Sequence, residues 1–197
     1  MPTGVAIRDV REQLFDAAER VLLRDGRNAL TSRAVTTEAG CAKGVLHRHF
    51  ADFDAFLTDF VLDRIGRIDA RTGALRGSAG TGTVADNLTA ALTALFESAA
   101  VAIVGLITAR DELRARLRRD LPAGVPVLTE AAELVAAYLV EERDLGRITA
   151  DADVDTLAAM LIGTAHLLFA DRFGTPPEAE GVRRIVTTVL VGVGPRP

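Results

Sequence analysis

Lys43, His47, Arg48 and His49 stand within seven residues of one another, in the stretch CAKGVLHRHF at positions 41–50. Lys43 is the chain's only lysine and Cys41 its only cysteine, and the chain has one histidine besides these two. Ammonium, guanidinium and imidazole donors gathered this densely are suited to hydrogen bonds with phosphate oxygens or base edges. Ala42 and Gly44, on either side of Lys43, add so little bulk that the backbone can approach a partner closely. The surrounding charge agrees. Between residues 27 and 50, Arg27, Arg33, Lys43 and Arg48 are opposed only by Glu38, in a chain whose formal net charge is −4. A basic segment on an acidic body points to local contact with a polyanion.

Other chemistries fit these residues poorly. His47 and His49, two apart, point to different sides of a helix and have no cysteine or carboxylate at ligand spacing beside them, so neither metal nor other cofactor is expected. Cys41 reads as a small buried apolar residue. The Glu-x-x-His pairs of di-metal bundles, the G-x-S-x-G elbow and the P-loop are all missing from the sequence, and an enzyme is not expected. GTGTVA at Gly80–Ala85 resembles a nucleotide-binding fingerprint, but that motif must follow a strand, and here helical patterns flank it.

The elements that must position the basic stretch follow from periodicity. Val10, Leu14, Ala17, Ala18, Val21 and Leu22 form one helical stripe, ended by Gly26. Thr31 and Ser32 offer N-cap oxygens to a short helix through about Glu38. Ala39-Gly40-Cys41 then makes a tight turn, and a second short helix runs from about Ala42 to Phe50. Longer helices are predicted over about 52–75, 84–98, 101–119, 127–144 and 153–173, with a last one after Pro177. The joints are Gly77–Gly82, Leu121–Pro126, Leu145–Ala150 and Gly174–Pro177. Hydrophobic residues make up 49% of the chain, with no Trp and one Tyr, so Ala, Leu, Val and Ile must fill an all-helical core.

A short helix, a glycine-containing turn and a second short helix are the ingredients of a helix-turn-helix, whose second helix enters the DNA major groove. The ordered set LFDAAERVLLRDG (Leu14–Gly26), Thr31, AGCAKG (Ala39–Gly44) and LHRHF (Leu46–Phe50) resembles the DNA-binding domain of the TetR (tetracycline repressor) family. The resemblance implies an all-α chain with two parts. A three-helix DNA-binding domain would cover residues 1–51, and a larger helical ligand-binding and dimerisation domain residues 52–197. It implies DNA contacts from Thr31, Ser32, Arg33, Ala42, Lys43, Gly44, His47 and Arg48. The sequence departs from the family's usual pattern at Ala42, where Ser or Thr is common, at His47, where Tyr is usual, and at Phe53, where a lysine usually opens the next helix. The competing reading is a helical small-molecule-binding dimer with impaired DNA binding.

The C-terminal part offers fewer polar landmarks. Thr108, Arg110, Tyr138 and His166 are the candidate contacts for a small-molecule effector. The apolar residues Leu161, Leu168, Ile185, Val186, Val189 and Leu190 of the last two helices are the candidate homodimer interface. No signal peptide or membrane span is read from the sequence, and one cysteine suits a reducing interior. A cytoplasmic regulator, most simply a repressor, is therefore expected to bind a near-palindromic operator.

Overall fold

The stripe from Val10 to Leu22 becomes the buried face of α1 (Ile7–Asp25), where Leu14, Phe15, Ala17, Ala18, Val21 and Leu22 are all buried. Gly26 ends that helix at φ +80°, in the left-handed region that glycine enters without a steric penalty. The computed structural model describes residues 7–170 and 179–194. Among them are ten helices and no strand. After α1 come α2 (Ser32–Glu38), α3 (Gly44–His49), α4 (Phe53–Gly77), α5 (Val84–Phe96) and α6 (Ala100–Ala109). The chain continues through α7 (Asp111–Leu117), α8 (Leu128–Asp144), α9 (Val154–Ala170) and α10 (Ala179–Val189). Gly174, Pro176 and Pro177, expected as helix breakers, lie outside the described residues. Among the described residues no single helix is long and apolar enough to cross a membrane.

Two expected boundaries move. The single helix expected over 101–119 is two helices, α6 and α7, broken at Arg110 with φ −127° and ψ 102°. The Thr108 hydroxyl turns back onto the carbonyls of Val104 and Gly105, a bond that competes with helix continuation. Asp111 and Glu112 then favour a fresh helix N-terminus, where backbone N–H groups are unpaired and positive. The second short helix starts at Gly44 instead of Ala42, with Lys43 at its N-cap.

The chain divides into two compact units. Residues 1–64 and 102–122 form the N-terminal unit, and residues 65–101 and 123–197 the C-terminal unit. The N-terminal unit is organised around phenylalanines. The Phe15 ring lies 5.9 Å from Phe50 and 5.6 Å from Phe56, and Phe50 meets Phe56 edge-on at 5.0 Å. Arg11 covers the Phe50 ring at 4.5 Å and pairs with Asp59 at 2.5 Å. Arg64 is 5% exposed and meets Asp16, Glu19 and Asp63. With several carboxylates around it, the guanidinium keeps charge-assisted hydrogen bonds that offset its burial.

In the C-terminal unit α9 is the central helix, packed on α8, α5 and α10 through Leu157, Ala158, Leu161, Ile162, Ala165 and Phe169. A polar network pins the joint after α4. Fully buried Tyr138 donates to Glu142 at 2.5 Å and accepts from Asn87 at 3.0 Å. Burial, and then the Glu142 carboxylate, push the Tyr138 phenol well above its ordinary range. Asn87 also donates to the carbonyls of Ser78 and Thr81, and Arg147 to those of Thr81 and Gly82. The start of α8 holds a strained residue. Val127 sits at φ +78°, where its amide donates to the Glu130 carboxylate at 2.6 Å while its side chain is fully buried.

Two outcomes follow for stability. Phe56→Ala, at the centre of the aromatic cluster, is expected to lower stability by about 3–5 kcal/mol in denaturant unfolding. His166 is half-buried beside Phe96, with its Nδ1 unpartnered, and burial lowers its pKa below the ordinary 6.5. The folded chain therefore resists the proton that the unfolded chain takes up. His166 imposes no penalty above about pH 6.5, and stability falls as pH drops below it. His166→Leu should flatten that acid limb when unfolding is compared at about pH 7.5 and about pH 5.5.

Candidate nucleic-acid interface

Thr31 sets the start of α2. Its backbone is extended, at φ −129° and ψ 159°, and its Oγ1 accepts the Ala34 amide at 3.2 Å. Within the helix, buried Thr36 donates its hydroxyl to the Ser32 carbonyl at 2.9 Å. The helix closes through Gly40 at φ +65°. The Gly40 amide returns to the Thr37 carbonyl at 3.1 Å and the Cys41 amide to that of Thr36 at 3.0 Å, the paired bonds of a Schellman cap. Gln13 of α1 donates to the Ala39 carbonyl at 3.0 Å and anchors the turn. Cys41 is half-buried there, more accessible than the buried position expected of it.

α3 is only six residues long, and a helix this short has no stability of its own. Fully buried Leu46 and the 5%-exposed Phe50 hold it, and the remaining positions are free to face outward. Ala42, Lys43, Gly44, His47 and Arg48 are exposed, as are Thr31 and Arg33, while Ser32 is half-buried. The eight residues expected at DNA thus share one helix-turn-helix of the N-terminal unit.

The charges there divide into neutralised and free. Glu38 accepts from Arg20 at 2.7 Å and from Arg24 at 2.9 Å, and these bonds, Arg20's first, hold its carboxyl below the usual range. Asp52 is held low chiefly by Arg116, which it meets at 2.9 Å and 3.0 Å. Among the described residues, Arg27, Arg33, Lys43 and Arg48 have no carboxylate within ion-pair reach; the same holds for Arg118 and Arg119 just beyond α7. Arg11, Arg20 and Arg24 of α1 are spent on internal pairs, while the cations of the helix-turn-helix remain available to an outside anion.

The four effector candidates are divided between the two units. Thr108 and Arg110 belong to the N-terminal unit, Tyr138 and His166 to the C-terminal one. Tyr138 is fully buried and committed to Glu142 and Asn87. The C-terminal unit instead holds a cavity of about 310 Å³ lined by residues such as Ile68, Leu75, Ser78, Asn87, Ala91 and Leu95. Sequence reasoning missed it, although Asn87, Ala90, Ala91 and Ala94 recur at helical spacing on one side of α5.

The dimer candidates also need correction. Leu161 and Val186 are fully buried in the chain's own core, because α9 and α10 pack on each other. Leu168, Ile185, Val189 and Leu190 are half-buried. The apolar side chains left open on α9 are Met160 and Leu167, 49% and 71% exposed, with Ala159, Gly163 and Ala170 along the same face. The signal for them was the all-round apolar character of this helix, once the buried stripe was subtracted.

Comparison with known proteins agrees with this geometry. Residues 14–58 match the family model described as bacterial regulatory proteins, tetR family. No curated protein sequence matches the chain. Among solved structures, a transcriptional regulator from Rhodococcus sp. Rha1 is similar at TM-score 0.72 and 22% identity, covering 95% of this chain and 99% of its own. NemR of E. coli, in its reduced form, gives TM-score 0.75 at 15% identity, covering 95% and 98%. The regulator FadR from Bacillus subtilis, solved in complex with stearoyl-CoA, gives 0.69 at 17% identity, covering 92% and 98%. At such identities the likeness establishes the fold. Together with the matched segment it identifies residues 14–58 as a TetR-family helix-turn-helix DNA-binding domain, followed by a larger helical domain in a fold that bacterial transcriptional regulators share.

Proposed function

We propose that this chain is a ligand-responsive transcriptional repressor, acting in the cytoplasm as a homodimer on a near-palindromic operator and catalysing no reaction. The observation that carries this is the set of free cations Arg33, Lys43 and Arg48 on the exposed side of the helix-turn-helix. Residues 1–51 read DNA, and residues 52–197 hold the effector and the partner copy. Lys43 stands at the N-terminus of α3, the end of a recognition helix that reaches base edges. Thr31, Ser32, Arg33, His47 and Arg48 hydrogen-bond flanking phosphates and set the register. Ala42 and Gly44 let the helix come close.

The second copy covers the α9 face of Met160, Gly163 and Leu167, continued by the half-buried Leu168, Ile185, Val189 and Leu190. Two recognition helices would then address major-groove faces about 34 Å apart. The effector occupies the C-terminal cavity, whose volume is at the small end of the roughly 300–1,000 Å³ of small-molecule pockets. Its lining is mostly apolar, and its serine hydroxyls are turned onto the carbonyls of Leu75 and Leu95. A small apolar ligand suits such walls. FadR from Bacillus subtilis, a structural relative solved in complex with stearoyl-CoA, supports an effector with an apolar chain in this fold. Coupling of about 1–3 kcal/mol between effector and operator would weaken DNA binding roughly 5–150-fold.

Fluorescence anisotropy with labelled DNA from immediately upstream of the protein's own gene tests the reading. Saturable binding that exceeds binding to a scrambled duplex is expected, and Lys43→Ala should weaken it by about 1–3 kcal/mol. Equal, salt-abolished binding to both duplexes would favour the dimer with impaired DNA binding. Leu167→Arg places a charge on the open α9 face without touching the core. It should convert the protein to single-chain mass in gel filtration and reduce operator affinity, while thermal unfolding of each chain stays cooperative.

A further inference from the structure

Arg27 and Arg110 come from distant parts of the sequence, yet both line one open depression of about 450 Å³ in the N-terminal unit. Asn28, Thr31, Ser32 and Phe53 line it with them. Arg110 occupies the break between α6 and α7, where its backbone is extended. Its guanidinium lies 5.6 Å from the centre of the Phe53 ring, and its Nη2 is 3.5 Å from Asp54 Oδ1. That carboxylate oxygen is buried and accepts no hydrogen bond. The Phe53 ring and the Asp54 carboxylate together fix where the guanidinium sits. A guanidinium has five N–H donors, so one long ion pair leaves most of them uncommitted.

Arg27 is exposed and has no ion-pair partner among the described residues. Its Nη1 lies 3.7 Å from where a Cβ would stand on Gly105, so it rests along bare α6 backbone. The depression is therefore lined by two guanidinium groups and no carboxylate, with Asp54 paired to Arg110 beside it and the Phe53 ring along its wall. Its rim is formed by Thr31 and Ser32, two of the residues placed at DNA above.

We propose that Arg27 and Arg110 form a phosphate-binding notch that grips the DNA backbone beside the start of α2. The inference rests on the DNA-binding reading and adds to it a second anchor outside the helix-turn-helix. The forked donors of arginine match the oxygens of a phosphodiester. Such a contact fixes the position of the domain on the duplex and reads no sequence. It also makes Arg110, at the α6–α7 break, part of the DNA-binding surface of the N-terminal unit.

The test is anisotropy at a series of salt concentrations, with the full-length protein and both the upstream and the scrambled duplex. Arg27→Ala and Arg110→Ala should each reduce the slope of log affinity against log salt, and the double variant by about 0.9, the loss of one phosphate contact. The loss should be the same on both duplexes. Arg184→Ala, an exposed α10 cation outside the notch, should leave the slope unchanged. Because Arg110→Ala strips Asp54 of its partner, thermal unfolding is measured alongside; Arg27→Ala, which breaks no ion pair, gives the same reading without that risk. A double variant that folds normally and keeps the wild-type slope overturns the notch, as does an equal slope loss in Arg184→Ala. Wild-type protein that binds neither duplex at low salt overturns the DNA-binding reading itself, a different outcome from a wild-type protein that binds with an unaltered variant slope.

Discussion

The packing of Phe50 against Phe15 and Phe56 is the constraint on which the reading head depends. A six-residue helix cannot hold itself together in water, because too few hydrogen bonds form to offset the ordering of its backbone. α3 is therefore held by what it buries, and it buries little more than Leu46 and Phe50. Phe50 reaches α1 through Phe15 and α4 through Phe56, while Arg11 closes over its outer face and is itself held by Asp59. Because the inward side is fixed by these few large contacts, the outward positions are released from any packing duty. Lys43, His47 and Arg48 can then be chosen for a partner's sake.

Electrostatics extends the same division. In the N-terminal unit the arginines next to the core meet carboxylates: Arg64 with Asp16, Glu19 and Asp63, Arg20 and Arg24 with Glu38, Arg116 with Asp52. These pairs consume charge that would otherwise smear a positive field over the whole unit. What remains unpaired near the turn is a small, directed set. An acidic chain can in this way present a basic face without becoming a general polyanion binder.

The C-terminal unit solves a different problem. Asn87, Tyr138, Glu142 and Arg147 are tied to one another and to the joint after α4 in one network. Such a network favours a single arrangement, since breaking it leaves further buried groups unpaired. Beside this fixed network the small side chains of α5 leave volume unfilled, and α9 leaves one apolar face uncovered. Both are absences of packing, and both are where a ligand or a second copy can add what the chain itself does not supply.

Much of this was legible in the sequence. The apolar stripe of α1, the Thr31 cap, Gly40 in the turn and the crowding of rare cations between 41 and 50 are local signals, each with a local physical cause. The break at Arg110 was not legible, since LITARDEL reads as continuous helix until the competing Thr108 bonds and the new acidic N-terminus are weighed together. Nor were the partner face and the cavity. Leu161 and Met160 are neighbours on one apolar helix, and nothing in their types tells which is buried; the packing of α8, α5 and α10 around α9 decides it. The sequence by itself determined most of the helices, the turn and where the basic residues cluster, because these depend on neighbours three or four residues away. Only the tertiary structure decided which arginines are neutralised, that Arg27 and Arg110 share one depression, and which apolar side chains are left over, because those depend on elements brought together from distant parts of the chain.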